Sequence, residues 1–161
     1  MEIRRVVPDD WETLRELRLR ALASNPDAFG ATLEEASARP DAEWLAWVDA
    51  PERAIFAAVA ADGRSVGMAV GSPAPEHGQT LRLTGMWVAP EARRQGVGAA
   101  LIGAVEGWAR AAGYRSIGLG VTVTNPSAIR LYEACGYVET GERHPLRDGT
   151  DLTIQIMGKT L

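Results

Sequence analysis

The stretch Val88 to Gly98, V-A-P-E-A-R-R-Q-G-V-G, decides how the rest of the chain is read. An apolar run, Leu81 to Val88, stops at Pro90. Behind the glycines an apolar helical pattern begins: Val97, Leu101, Ile102, Val105 and Trp108. This is strand, loop, helix start. The first N–H groups of a helix have no partner within it, and they sit at the positive end of the macrodipole. Gly96 and Gly98 present no Cβ, so an anion can approach the backbone. The spacing therefore predicts a phosphate or pyrophosphate site. The bland alternative is a plain strand-to-helix connection with solvated arginines.

Working outward, the flanking elements read as follows. Glu2–Val7 is a short strand. Asp9 is expected to cap a helix, with Glu12 completing a capping box and Leu14, Leu17, Ala21 and Leu22 forming its apolar face. Pro26 and Gly30 bend the chain, and Leu33–Ser37 is a short turn. Asp41 is expected to cap a further helix with Trp44, Leu45 and Val48 on the core. Two apolar strands around Asp62-Gly63 predict a hairpin. Residues 72–78 read as a loop, and Thr80–Val88 as a strand with a bulge at Gly85.

The helix after the loop is expected from Gln95 to Ala112, with Gly113 behind it. Ser116–Val123 alternates as a strand, and Ser127–Cys135 is a short helix. Tyr137–Glu142 is a strand and Arg143–Thr150 a polar loop. Leu152, Ile154 and Ile156 alternate along a last strand, which is expected to be free to pair with a second copy. This order is mixed α/β, α+β-like, and lacks the strict alternation of a doubly wound sheet.

At 161 residues, one domain over 1–161 is expected, with enough chain for a proper core. Apolar residues make up 46% and charged residues 24%, which is ordinary for a globular protein. No apolar stretch approaches the roughly 20 residues that span a bilayer, so no membrane role is expected. Charges crowd the first twenty residues, which argues against a secretory leader. The single Cys135 excludes an internal disulfide framework and fits a reducing, cytoplasmic setting. A net charge of −4 disfavours nucleic acid and mildly favours a cationic small molecule or peptide.

A second motif follows at Asn125 to Tyr137, N-P-S-A-I-R-L-Y-E-A-C-G-Y. Alone, it is a capped helix closed by a glycine. Together, the two motifs resemble the GNAT superfamily of N-acetyltransferases, which use acetyl-CoA. Arg93-x-x-Gly96-x-Gly98 matches that family's pyrophosphate loop. Asn125-x-x-Ala128-x-x-Leu131-Tyr132 with Gly136-Tyr137 matches its second cofactor motif. The element order agrees over essentially the whole chain.

The resemblance implies a mostly antiparallel sheet of about seven strands, splayed between strands 4 and 5 and flanked by helices. It implies that backbone groups of Met86 and Val88 pair with the pantetheine arm, and that an N–H near Met86 or Trp87 holds the oxyanion. Arg93, Arg94, Gln95, Gly96, Val97, Gly98 and Ala99 would hold the pyrophosphate, with Asn125 on the pantetheine and Arg130 near the nucleotide. Tyr132 would be the general acid for the departing thiolate, or else a packed tyrosine that orients the cofactor. No metal is implied, and a homodimer is. The acceptor would be a small-molecule or peptide amine.

One departure concerns the base. The strand T-L-R-L-T-G-M-W-V carries no carboxylate, where many relatives place a glutamate. Glu34, Glu35, His77, His144 or water remain for the amine proton. Trp87 and Trp47 are expected as walls of the acceptor pocket. The stretch Arg18–Glu35 also resembles a subset of bacterial members. A non-catalytic acyl-CoA-binding module is the alternative function. A Rossmann-type dinucleotide site is disfavoured, because Leu101 stands where its third small residue belongs.

Overall fold

The computed structural model describes residues 1–161. Seven strands form one sheet: β1 (Glu2–Arg5), β2 (Ala54–Val59), β3 (Ser65–Pro73), β4 (Thr80–Val88), β5 (Ser116–Thr122), β6 (Val138–Pro145) and β7 (Thr153–Thr160). Five helices accompany them: α1 (Trp11–Ser24), α2 (Leu33–Ser37), α3 (Asp41–Val48), α4 (Val97–Ala111) and α5 (Pro126–Ala134). The spatial order is β1-β2-β3-β4-β5-β7-β6. Every neighbouring pair is antiparallel except β4 and β5.

The hairpin between β2 and β3 turns at Asp62-Gly63, where Gly63 takes φ 85. Two glycines of β3 decide how closely α4 can lie on the sheet. A Cβ at Gly67 would stand 3.1 Å from Leu101, and one at Gly71 would stand 3.1 Å from Val105. The helix thus seats Val97, Leu101, Ile102, Val105 and Ala109 directly on the strands, all buried. On the opposite face, α1 packs Leu14, Leu17, Ala21 and Leu22 against the sheet and the shorter helices. Burying that many aliphatic side chains, at about 1.5–3 kcal/mol each, is what holds the two layers on the sheet.

The parallel pair β4 and β5 is short. It pairs only from Thr80–Arg82 to Ser116–Gly118. Beyond Arg82 the strands part, and the register of β4 against β3 slips around Gly85, which has φ 60. The bulge and the splay both lie where the sequence and the resemblance put them.

Several local expectations are corrected. Asp9 is not a cap: Pro8 opens a 3-10 turn, α1 starts at Trp11, and Asp10 pairs with Arg4 instead. Pro40, not Asp41, occupies the cap position of α3. Leu45 is 40% exposed, because only Trp44 and Val48 reach the core. β3 runs on to Pro73 and β6 to Pro145, through residues expected as loops, because each finds a pairing strand. α4 begins at Val97, since Gly96 takes the left-handed cap conformation.

The last strand is corrected twice. Gln155 and Met157 are its buried residues, while Ile154 and Ile156 are half-buried on the other face. β7 also lies between β5 and β6, with both backbone edges already paired. It therefore cannot extend a neighbour's sheet. The free edges are β1 and β6, and every residue of β6 is exposed.

Candidate active site

The parting of β4 and β5 leaves a cleft on each side. The first, about 620 Å³, lies between the end of β4, the start of α4 and the side of α5. The loop Arg94–Gly96 shapes it. Arg94 has φ 58 and Gly96 φ 79, both left-handed. The backbone bond that opens the helix runs from Ala100 N–H to the Gly96 carbonyl, at 3.0 Å. The N–H groups of residues 94–99 find no acceptor in the chain. Successive N–H groups turned by left-handed residues form a concave anion site.

Met86, Trp87, Val88, Arg93, Arg94, Gly96, Val97, Gly98, Ala99, Asn125, Arg130 and Tyr132 all line this cleft. Of the expected cofactor residues only Gln95 does not; its side chain turns back to the Glu91 carbonyl at 3.1 Å. Arg94 and Arg130 are exposed and free of ion pairs, so they can meet phosphate charge. Arg93 is differently engaged. Its Nε donates to the Val88 carbonyl and its Nη2 to Asn25 Oδ1, each at 2.9 Å. Asn125 Oδ1 accepts from the Ala128 N–H at 3.2 Å and so caps α5. Its amide nitrogen makes no hydrogen bond within the chain and is left for a ligand.

Gly98 has a reason other than anion approach. A Cβ there would lie 2.8 Å from Leu131 Cδ2 and 3.3 Å from Met86 Cε, so the missing side chain lets α4 close on α5 and β4. Gly96 meets nothing within 4 Å and is a conformational requirement. Gly98→Val is expected to wedge α5 outward. It should cost about 1–3 kcal/mol of stability and weaken acetyl-CoA binding about tenfold or more. Thermal melting and calorimetric titration of the same sample read both effects.

Tyr132 is 7% exposed. Its ring packs edge-on against Tyr137, with centroids 6.0 Å apart. Burial, and then nearby Cys135, push its phenol above the usual tyrosine range. Its hydroxyl has no hydrogen-bond partner within the chain, and the residue is one of those that line the cleft.

Asn25 was not foreseen. Its Oδ1 accepts from Trp87 Nε1 at 3.1 Å as well as from Arg93. Thr122 Oγ1 donates to the Asp27 carbonyl at 2.7 Å. The segment after α1 is thus tied to β4 and β5 and straddles the splay. In the sequence this same segment, S-N-P-D-A-F-G at residues 24–30, reads as a bend, and nothing local in it shows what the bend spans.

The second cleft, about 670 Å³, lies across that strap. Phe29, Glu76, His77, Glu142, His144 and Arg18 are among its walls. Neither Trp87 nor Trp47 lines it; Trp87 belongs to the first cleft, and Trp47 lies beneath Arg18. Glu34 and Glu35 are exposed outside it, with Glu35 held in a capping box by Thr32. No His, Cys, Asp and Glu side chains converge as a metal site. No helix is long and apolar enough to cross a membrane.

Comparisons with known proteins agree with this geometry. The family described as "Acetyltransferase (GNAT) family" matches residues 11–137. An aminoglycoside N(6')-acetyltransferase type 1 of Stenotrophomonas maltophilia is 33% identical over 144 residues, covering 86% of each chain. One from Klebsiella aerogenes is 37% identical over 106 residues, covering 63% of this chain and 70% of that protein. Among solved structures, yncA from Salmonella typhimurium with its cofactor acetyl-CoA superposes with a TM-score of 0.81 at 20% identity. That likeness covers 100% of this chain and 94% of that one. The free N–H groups at the start of α4, the cations beside them and the apolar walls Met86, Val97 and Leu131 fit that same cofactor. The chain therefore belongs to the GNAT family, as an acetyl-CoA-dependent N-acetyltransferase.

Proposed function

We propose that the protein passes the acetyl group of acetyl-CoA directly to the primary amine of a small molecule while both are bound. The observation that carries this reading is the pair of clefts meeting where β4 and β5 part. Acetyl-CoA supplies a thioester carbonyl open to a nucleophile and a thiolate that can leave. The N–H groups of residues 94–99 hold its pyrophosphate, with Arg94 and Arg130 as charge partners. A backbone N–H at the Gly85–Trp87 bulge faces the developing oxyanion. Tyr132 offers its phenol proton to the sulfur.

The curated relatives act on aminoglycosides, which are polycations. The second cleft here is not acidic. Its arginines, Arg18 and Arg82, balance its glutamates, Glu76 and Glu142, and Glu76 is already paired with Arg82. This supports a small amine of low positive charge. A screen of primary amines with acetyl-CoA, reading thiol release, tests the proposal. Tight acetyl-CoA binding with no release from any amine would point instead to a non-catalytic acyl-CoA-binding module.

Of the side chains considered for the amine proton, His77 and His144 line the acceptor cleft. His144 Nε2 lies 2.6 Å from Glu142 Oε1, a contact that fixes the orientation of the ring. His144→Gln is therefore expected to lower kcat more than His77→Gln does. Equal, small effects in steady-state kinetics would leave the proton to water.

A further inference from the structure

The acceptor cleft contains a cation that the protein itself leaves unanswered. Arg18 projects from α1 into the cleft wall. Its guanidinium carbon lies 5.0 Å from the Phe29 ring centroid and 6.0 Å from that of Trp47. Arg18 Nη1 is 3.5 Å from where a Cβ at Gly85 would stand. The head group therefore sits beside the β4 bulge, near the point where the two clefts meet.

No carboxylate answers it. Glu76 is taken by Arg82, and Glu142 by His144. Arg39, the charged group that acts on it most, is of the same sign. Arg18 takes part in no ion pair and donates no hydrogen bond. The other arginines of which this is true, Arg15, Arg94, Arg115 and Arg130, are all exposed. Burial, and then Arg39, lower its pKa to about 10, still charged at neutral pH. A half-buried guanidinium with five donors and no acceptor in the chain keeps its N–H groups free for a ligand in the cleft. Stacking on aromatic faces fixes the plane of the fork without satisfying its N–H groups.

From this unpaired guanidinium in the cleft wall we infer that the amine acceptor also carries an oxyanion, which Arg18 holds as a charge-assisted fork. Carboxylate and phosphonate share that chemistry. The inference rests on the acetyl-transfer reading above and narrows its substrate class to amino acids and related zwitterions. It also gives a reason for a polycation to be rejected, since Arg18 repels it at the bulge.

The test uses matched acceptors with saturating acetyl-CoA: phenylalanine and phenethylamine, alanine and ethylamine, 1-aminoethylphosphonate, and kanamycin as the polycation. Thiol release gives kcat/KM for each. In at least one set the acid should exceed its bare amine by tenfold or more. The alanine set decides between carboxylate and phosphonate. Arg18→Met keeps an apolar stem on Phe29 and should cut that acid-over-amine ratio at least tenfold, through a rise in KM for the acid. Arg18→Lys should restore part of it. Circular dichroism melting checks that both variants fold, and the lysine variant carries the test if the methionine one does not. Bare amines or kanamycin turned over as well as the acids would overturn the inference and leave acetyl transfer standing. So would a ratio unmoved in Arg18→Met. Thiol release from no amine at all would overturn the acetyl-transfer reading and this inference with it.

Discussion

Tyr132→Phe is expected to lower kcat by about 10²–10⁴-fold, the usual worth of a general acid, while acetyl-CoA affinity changes far less. The ring stays against Tyr137, so the edge-on packing and the fold survive. Only the hydroxyl is lost, from a residue that lines the first cleft. Burial raises the phenol above its ordinary pKa of about 10. The acid form is the one required, so ionisation of Tyr132 should not reduce kcat at any pH below about 10. The raised pKa keeps the phenol protonated until negative charge develops on the sulfur. Steady-state kinetics across pH, with cofactor titration of the same variant, measures this. Unchanged kcat would assign the proton to water. Lost affinity with normal turnover at saturation would make Tyr132 a positioning residue.

Lys159→Met should cost about 2–4 kcal/mol of stability, towards the range for breaking a buried ion pair. Glu106 is 7% exposed on the sheet-facing side of α4. Lys159 Nζ bonds both its carboxylate oxygens, at 2.8 and 3.0 Å, and Tyr137 donates to it at 3.2 Å. Arg110, at 3.5 Å, is half exposed and compensates only partly. Removing the lysine leaves a buried carboxylate short of a counter-charge. Urea unfolding should show a lower midpoint at unchanged slope. The double variant Glu106→Leu, Lys159→Met should recover much of the loss, because no stranded charge remains. A single variant as stable as wild type would show that water already solvates Glu106.

What the chain discloses locally and what it does not separate along physical lines. The α4 stripe, the Asp62-Gly63 turn and the Gly85 bulge depend on neighbours a few residues away, and periodicity or glycine marks each. The first cleft was legible because its free donors are consecutive backbone groups. Glu106 was not, since its partner Lys159 comes from a strand far along the chain. Arg93 shows the same limit: its sequence neighbours suggest phosphate, but Asn25, brought there by α1, holds one of its nitrogens. The last strand alternates on both faces, so its pattern alone could not choose which face meets the helices. Pairing on both sides, a property of topology, then removed it as an edge.

The strap across the splay has a consequence for how such a protein can change. Of all the residues that line the two clefts, Ala28 alone lines both. On the proposed assignment of the clefts, substitutions in the acceptor wall at Glu76, His77, Glu142 or His144 fall on side chains that do not line the first cleft. Drift can therefore try new acceptors without first losing the acyl donor. Acceptor range is thus open to mutation one wall at a time, whereas Ala28 is the position where a larger side chain would be felt in both clefts at once.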